Sequence, residues 1–208
     1  MKFDQALRTH FRFFCDHADE ILPIVGKPHR DAGAVEGRVL LARMMGDLGY
    51  EKGVEIGVKT GASTLLWLNH NPKLHMTCID PWTAFPERPS SARQEKNYQK
   101  AVNNLKNANA TVIRASGLDV VDDFEDGSLD FVNIDGDHRF DSVVQDIIKY
   151  VPKVRKGGMI LVHDYNAFHH GGVRDAVDAY TRCHRIAPWF ATYDILPTAF
   201  WEKGAERC

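Results

Sequence analysis

One stretch of the 208-residue chain restricts its fold more than any other: Lys52-Gly53-Val54-Glu55-Ile56-Gly57-Val58-Lys59-Thr60-Gly61-Ala62-Ser63-Thr64-Leu65-Leu66. Val54 and Ile56 are strand formers, Gly57 and Gly61 relax the backbone, and helical periodicity resumes from Ser63 to Leu68. The pattern predicts a buried strand, a glycine turn and a helix. Such a unit points free backbone N–H groups and the positive end of a helix dipole at one spot, which suits an anionic or carboxylate-bearing ligand. The order acid-x-G-x-x-x-G, with Glu55 inside the strand end, departs from the G-x-G-x-x-G of dinucleotide sites, whose acid lies well downstream. Glu55 is expected to face the ligand cavity from the sheet.

The rest of the chain alternates apolar strands with helical runs. Leu74 to Asp80 reads as a second strand ending in an acid, and Thr111 to Arg114 as a third, ending at Ala115-Ser116-Gly117. Leu129 to Ile134 runs into Asp135-Gly136-Asp137-His138, and Met159 to Val162 into His163-Asp164-Tyr165-Asn166. Helices are expected over 92–107, 118–124, 140–151 and 173–183. The tail, 189–194 and 198–203, reads as two strands joined through Leu196-Pro197. Strand–helix alternation of this kind predicts an α/β fold with a doubly wound, mostly parallel sheet. Ahead of it, apolar residues at helical spacing (Phe3, Leu7, Phe11, Phe14, Ile21, Leu22) predict an amphipathic helix over 3–22, stopped by Pro23 and Gly26. A loop over 27–33 and a helix over 35–48 follow. The aromatic face of the first helix reads as core, with a homodimer contact as the alternative.

A formal net charge of −2, with 44% hydrophobic and 26% charged residues, lacks the basic excess of a nucleic-acid binder. Cys15, Cys78, Cys183 and Cys208 are far apart with no C-x-x-C pair, so neither a zinc site nor a disulfide framework is indicated, and reduced thiols suggest a cytoplasmic protein. No signal peptide or membrane span is expected.

The glycine turn together with Glu55 and Asp80 resembles the first two motifs of class I S-adenosylmethionine-dependent methyltransferases, in particular small-molecule O-methyltransferases of the catechol and macrolide-sugar types. Lys59 stands where many members have a middle glycine, which the catechol-type enzymes also lack. The resemblance runs from about residue 35 to residue 203. It implies a Rossmann-like seven-stranded sheet with a closing antiparallel C-terminal hairpin, a helical cap over 1–34 and a cofactor domain over 35–208. It also implies S-adenosyl-L-methionine as cofactor, held by Glu55, Gly57, Lys59, Gly61, Ser63, Asp80, Trp82, Ser116 and Asp135. Trp82 suits either stacking on adenine or covering the sheet edge.

Asp-Gly-Asp-His resembles the acid-x-x-base element of metal-assisted O-methyltransferases, which implies Asp135 as a metal or sulfonium-side carboxylate and His138 as general base. Histidine exchanges a proton near neutrality, with an ordinary pKa of about 6.5. Its alternative role is a solvated or helix-capping side chain, and Asp137 suits orienting His138 or capping the next helix. Asp135 and Asp164 offer hard oxygens suited to magnesium, while His163, His169 and His170 suit a softer divalent ion such as zinc. The reading is methyl transfer to a small hydroxylated acceptor, with no nucleic-acid or membrane partner. A nicotinamide-dependent oxidoreductase and a non-catalytic cofactor-binding domain are the alternatives.

Overall fold

The computed structural model describes residues 1–13, 24–28, 37–84, 90–165, 172–192 and 196–204. In chain order the elements are α1 (Phe3–His10), β1 (Phe11–Phe13), β2 (Ile24–Pro28), α2 (Gly37–Leu48), β3 (Lys52–Ile56), α3 (Ala62–His70), β4 (His75–Ile79), α4 (Ser91–Leu105) and β5 (Ala110–Ile113). They continue with α5 (Gly117–Val120), β6 (Leu129–Ile134), α6 (Phe140–Tyr150), β7 (Val154–Val162), α7 (Gly172–Cys183), β8 (Phe190–Thr192) and β9 (Ala199–Glu202). All nine strands form one sheet in the order β1-β2-β8-β9-β7-β6-β3-β4-β5.

The seven strands from β8 to β5 are the doubly wound sheet expected from the alternation. β3 lies between β4 and β6, parallel to both, and β7 and β5 extend the parallel run outward. β9 is antiparallel to β7 and to β8, which makes the closing hairpin. The order of connections reverses at β3, so β4 leads to one side of it and β6 to the other. Open α/β sheets hold ligands at such a switch point, outside the carboxyl ends of the strands.

Side chains alternate between two cores because a strand has a period of two. Phe131, Met159 and Leu161 pack with Trp67, Leu40 and Met44 on the layer of α2 and α3. Val132, Ile134, Ile160 and Val162 pack with Ile147, Tyr150 and Val177 on the layer of α6 and α7. Val54 and Ile56 face the second layer, which turns Glu55 toward the first. It is paired there with Cys78 on one side and Asn133 on the other.

The amino-terminal region corrects the expected helix over 3–22. α1 ends at His10, Phe11 is already extended (φ −122, ψ 146), and β1 pairs antiparallel with β2. Phe11 packs on Phe200 of β9, ring centroids 5.7 Å apart, so burial on the sheet decides between two conformations that the apolar spacing alone allows. Gly26 and Lys27, expected as a stop and a loop, lie in β2, which runs parallel beside β8. Phe14, Ile21, Leu22 and Pro23, the loop over 29–33 and Val35 lie outside the described residues. The aromatic face of α1 is used within the chain, with Phe3 against Phe190. Among the described residues Cys78 is a buried and Cys183 an exposed free thiol; Cys15 and Cys208 lie outside them. No described helix is long and apolar enough to cross a membrane.

Candidate active site

The glycine turn after β3 is tied down by its own polar groups. Gly57 has φ +89, and a Cβ on it would lie 2.0 Å from the Asp135 carbonyl oxygen; its N–H donates to the Ile79 carbonyl at 2.9 Å. Only glycine lets the ends of β3, β4 and β6 approach this closely. Lys59 takes the left-handed conformation (φ 54), and its N–H donates to Asp80 Oδ2 at 2.9 Å. The other Asp80 oxygen accepts the Trp82 N–H at 2.7 Å. The Trp82 indole N–H closes the loop by donating to the Lys59 carbonyl at 2.8 Å.

Trp82 is 2% exposed and its ring packs on Tyr98, centroids 4.9 Å apart. The ring lies against Tyr98 of α4 and is not among the groups lining the cleft described below. Glu55 is likewise placed elsewhere than expected. It is 0% exposed, accepts hydrogen bonds from the Thr64 hydroxyl and, at 3.1 Å, from the Asn133 amide. Burial pushes its pKa up to about 7, against the opposing pull of the Thr64 bond. It braces the first turn of α3 from beneath the sheet end and does not face the cavity. Gly61 (φ 79) precedes α3, and the Ser63 hydroxyl accepts from Arg38 of α2 at 3.1 Å.

A cleft of about 330 Å³ opens at the carboxyl ends of β3, β4, β5 and β6, lined by Gly57, Asp80, Ser116, Gly117, Asp137 and Asp146 among others. Three expected cofactor residues, Gly57, Asp80 and Ser116, thus meet in its lining. Ser116 caps α5, its hydroxyl accepting the Leu118 N–H at 3.3 Å. Asp137 accepts from Arg139 Nε at 2.8 Å and from the Ser142 hydroxyl at 2.9 Å. Partial burial raises its pKa, but those bonds outweigh it and hold the carboxyl below its usual range. Asp137 therefore braces the turn into α6 without capping that helix, whose N-cap is Arg139 and has no side-chain cap bond.

Beside this cleft lies a second cluster. Asp135, His138 and Asp164 each offer a ligand atom, all within 4.8 Å of one another. His138 Nε2 is 3.2 Å from Asp164 Oδ2, and His163 Nδ1 is 3.4 Å from Asp135 and 3.3 Å from Asp164. Burial alone would lower the His163 pKa, but the two carboxylates win and raise it to about 9. The rim thus joins the ends of β6 and β7, and Asp164, at φ 60, turns its carboxylate back toward β6. Two carboxylates and an imidazole are a donor set that a divalent cation accepts. Asn166, His169 and His170 lie outside the described residues. Asp146, Gln145 and Arg139 in the cleft lining and Arg38 beside Ser63 were missing from the sequence expectation. A lone acid at 146 amid Val143, Ile147 and Tyr150, all on the buried stripe of α6, was the available signal for the first.

Comparison with known proteins agrees with the fold. A family profile described as "Methyltransferase domain" matches residues 54–165, from β3 to the end of the rim. The fold is similar to an O-methyltransferase from Bacillus cereus solved with SAH (16% identity, 83% of this chain and 84% of that one, TM-score 0.59). It is equally similar to TomG, an O-methyltransferase of Streptomyces achromogenes involved in tomaymycin synthesis and solved with SAM (17% identity, 80% and 78%, TM-score 0.59). A curated relative, an uncharacterized protein of Acanthamoeba polyphaga mimivirus, is 31% identical over 129 residues, 59% of this chain. The match spans about half of that protein, 53% of its length.

Proposed function

The chain belongs to the methyltransferase-domain family, and from that premise we propose that it is an S-adenosylmethionine-dependent O-methyltransferase acting on a small hydroxylated molecule. The observation that carries the reading is the convergence of Asp135, His138 and Asp164 within 4.8 Å, beside a cleft walled by Gly57, Asp80 and Ser116.

Bound S-adenosylmethionine supplies a methyl group on a sulfonium; the acceptor oxygen takes the methyl carbon, the carbon–sulfur bond breaks, and its electron pair stays on sulfur as a neutral thioether. The chain's residues have two tasks in such an in-line displacement, alignment and removal of the acceptor's proton. Asp80, preset by two backbone N–H groups, has acceptor capacity left for the ribose hydroxyls. Ser116 and Gly117 form the wall opposite. His138, held against Asp164, receives the proton of the acceptor hydroxyl. Asp164 orients the ring and stabilises the imidazolium that forms.

Asp135 and Asp164 would also hold a divalent cation, whose Lewis acidity lowers the pKa of a bound hydroxyl. The donor set fits such an ion, and the imidazole beside two carboxylates tilts the choice from magnesium toward manganese, iron or zinc. A second reading follows from the same distances: His138 is itself a third ligand rather than the base. Metal titration of His138→Ala separates the two. Lost turnover with unchanged metal affinity marks the base, and lost metal affinity marks the ligand. Calorimetric titration with S-adenosylhomocysteine tests the cofactor assignment. Binding should be weakened about a hundredfold by Asp80→Ala, on the scale of a lost pair of hydrogen bonds to a charged group. An unchanged affinity would remove Asp80 from the cofactor site.

A further inference from the structure

The floor of the cleft is built from α6. Gly117 and Gly136 face each other across Ile56: a Cβ on Gly117 would lie 3.2 Å from Ile56 Cγ2, and one on Gly136 would lie 3.5 Å from the same methyl. Neither glycine offers a side chain, and both line the cleft together with Ile56. The polar side chains at its edge are Ser142, Gln145 and Asp146. α6 is fixed to the far wall because the Tyr150 hydroxyl donates to the Gly117 carbonyl at 2.7 Å.

Asp146 has no hydrogen-bonding use among the described residues. It is 8% exposed, on the stripe that also buries Val143, Ile147 and Tyr150. It makes no hydrogen bond or ion pair among the described residues; what acts on it is burial and then the like charge of Asp137. Its Oδ2 lies 3.9 Å from the position a Gly136 Cβ would take, so the missing side chain leaves the carboxyl open to the cleft. An apolar residue would serve packing better here, since a buried carboxyl without a partner is costly.

We infer that Asp146 is the base-reading residue of the cofactor cleft, its carboxylate accepting a hydrogen bond from the exocyclic amino group of the adenine. This rests on the S-adenosylmethionine reading above and adds to it the group that distinguishes adenine from other purines. A ring lying over Ile56, between Gly117 and Gly136, turns its edge to α6, while the ribose reaches Asp80.

The inference carries a sign for pH. Burial raises the Asp146 pKa to about 7 in the unliganded protein, so through that pH the group changes from an acid that both donates and accepts to a carboxylate that only accepts. The charged groups around it are Asp137 and Arg139, paired with each other on the β6–α6 turn, and Asp80 at the end of β4. Tyr150 follows one turn on along α6. Asp119 in α5 and Asp123 beyond it are exposed, and α7 brings Val173, Ala176, Val177 and the partly buried Tyr180 into that layer. Discrimination between an amino and an oxo group at the edge of the purine should therefore rise as pH passes through about 7.

The test is calorimetric titration of the full chain from about pH 5.5 to about 8.5 with S-adenosylhomocysteine and with S-inosylhomocysteine, which carries an oxo group in place of the amine. The parent should prefer the adenine compound more strongly as pH rises, because an ionised carboxylate repels the oxo group and a protonated one donates to it. Asp146→Asn, isosteric and checked for folding by thermal melting, should flatten the profile and shrink the preference about tenfold or more, the scale of a hydrogen bond to a charged group. A parent preference that does not change with pH, or a preference that D146N leaves intact, overturns the inference while the cofactor reading stands. S-adenosylhomocysteine binding at no pH overturns both.

Discussion

The glycine turn after β3 and the rim at the ends of β6 and β7 both gather polar groups at the carboxyl edge of the sheet, yet they spend them differently. In the turn each group serves another part of the same chain: Asp80 takes two backbone N–H groups, Trp82 returns one to Lys59, and Glu55 takes Thr64 and Asn133. At the rim, carboxylates and imidazoles face one another at 3.2 to 3.4 Å. Hydrogen bonds closed within the backbone fix a shape, whereas titratable groups balanced against each other can exchange protons or take up a cation. On the function proposed above, the first region would be scaffold for a ligand and the second would act on one.

Variants can break this contrast, and the largest effect belongs to the scaffold. Gly57→Ala forces a methyl to within 2.0 Å of the Asp135 carbonyl at a positive φ. Denaturant unfolding should show a loss of more than about 4 kcal/mol, or no folded protein; a stable, active variant would mean the strand ends are not so tightly crossed. Next comes the rim, where His138→Ala should cost about a hundredfold to ten-thousandfold in turnover with cofactor affinity spared. Equal losses in both would move His138 from the chemistry to the scaffold. The smallest effect is Trp82→Phe, which keeps the ring on Tyr98 and removes one hydrogen bond to Lys59. Chemical unfolding should register about 1 kcal/mol, and a larger loss of S-adenosylhomocysteine affinity than of stability would show that the turn, once loosened, misplaces Asp80.

Much of this layout was legible in the chain. Valine and isoleucine around Gly57, and acids closing successive apolar strands, locate the strand ends and the edge that gathers Asp80, Asp135 and Asp164. Glu55 was misplaced because alternation sets it opposite Val54 and Ile56 without saying which layer borders the cleft. Phe11 was read as helical because a spacing of four satisfies a helix, while only its contact with Phe200, far along the chain, makes it extended. Trp82 suits two roles that local sequence weighs equally, and only the fold shows that its ring lies against Tyr98. Asp146 was passed over because a helix with one acid on its apolar face looks like an imperfect stripe until Gly117 and Gly136 are seen opposite it.

The seating of β2 beside β8 bears on how the molecule tolerates trimming. A form shortened by its first thirty or so residues would leave β8 as a bare border strand, with a row of unmet amide and carbonyl groups that a neighbouring molecule can zip onto. The opening segment would then act as a selvedge, keeping the fabric of the sheet from fraying into aggregates even though it lies away from the glycine turn.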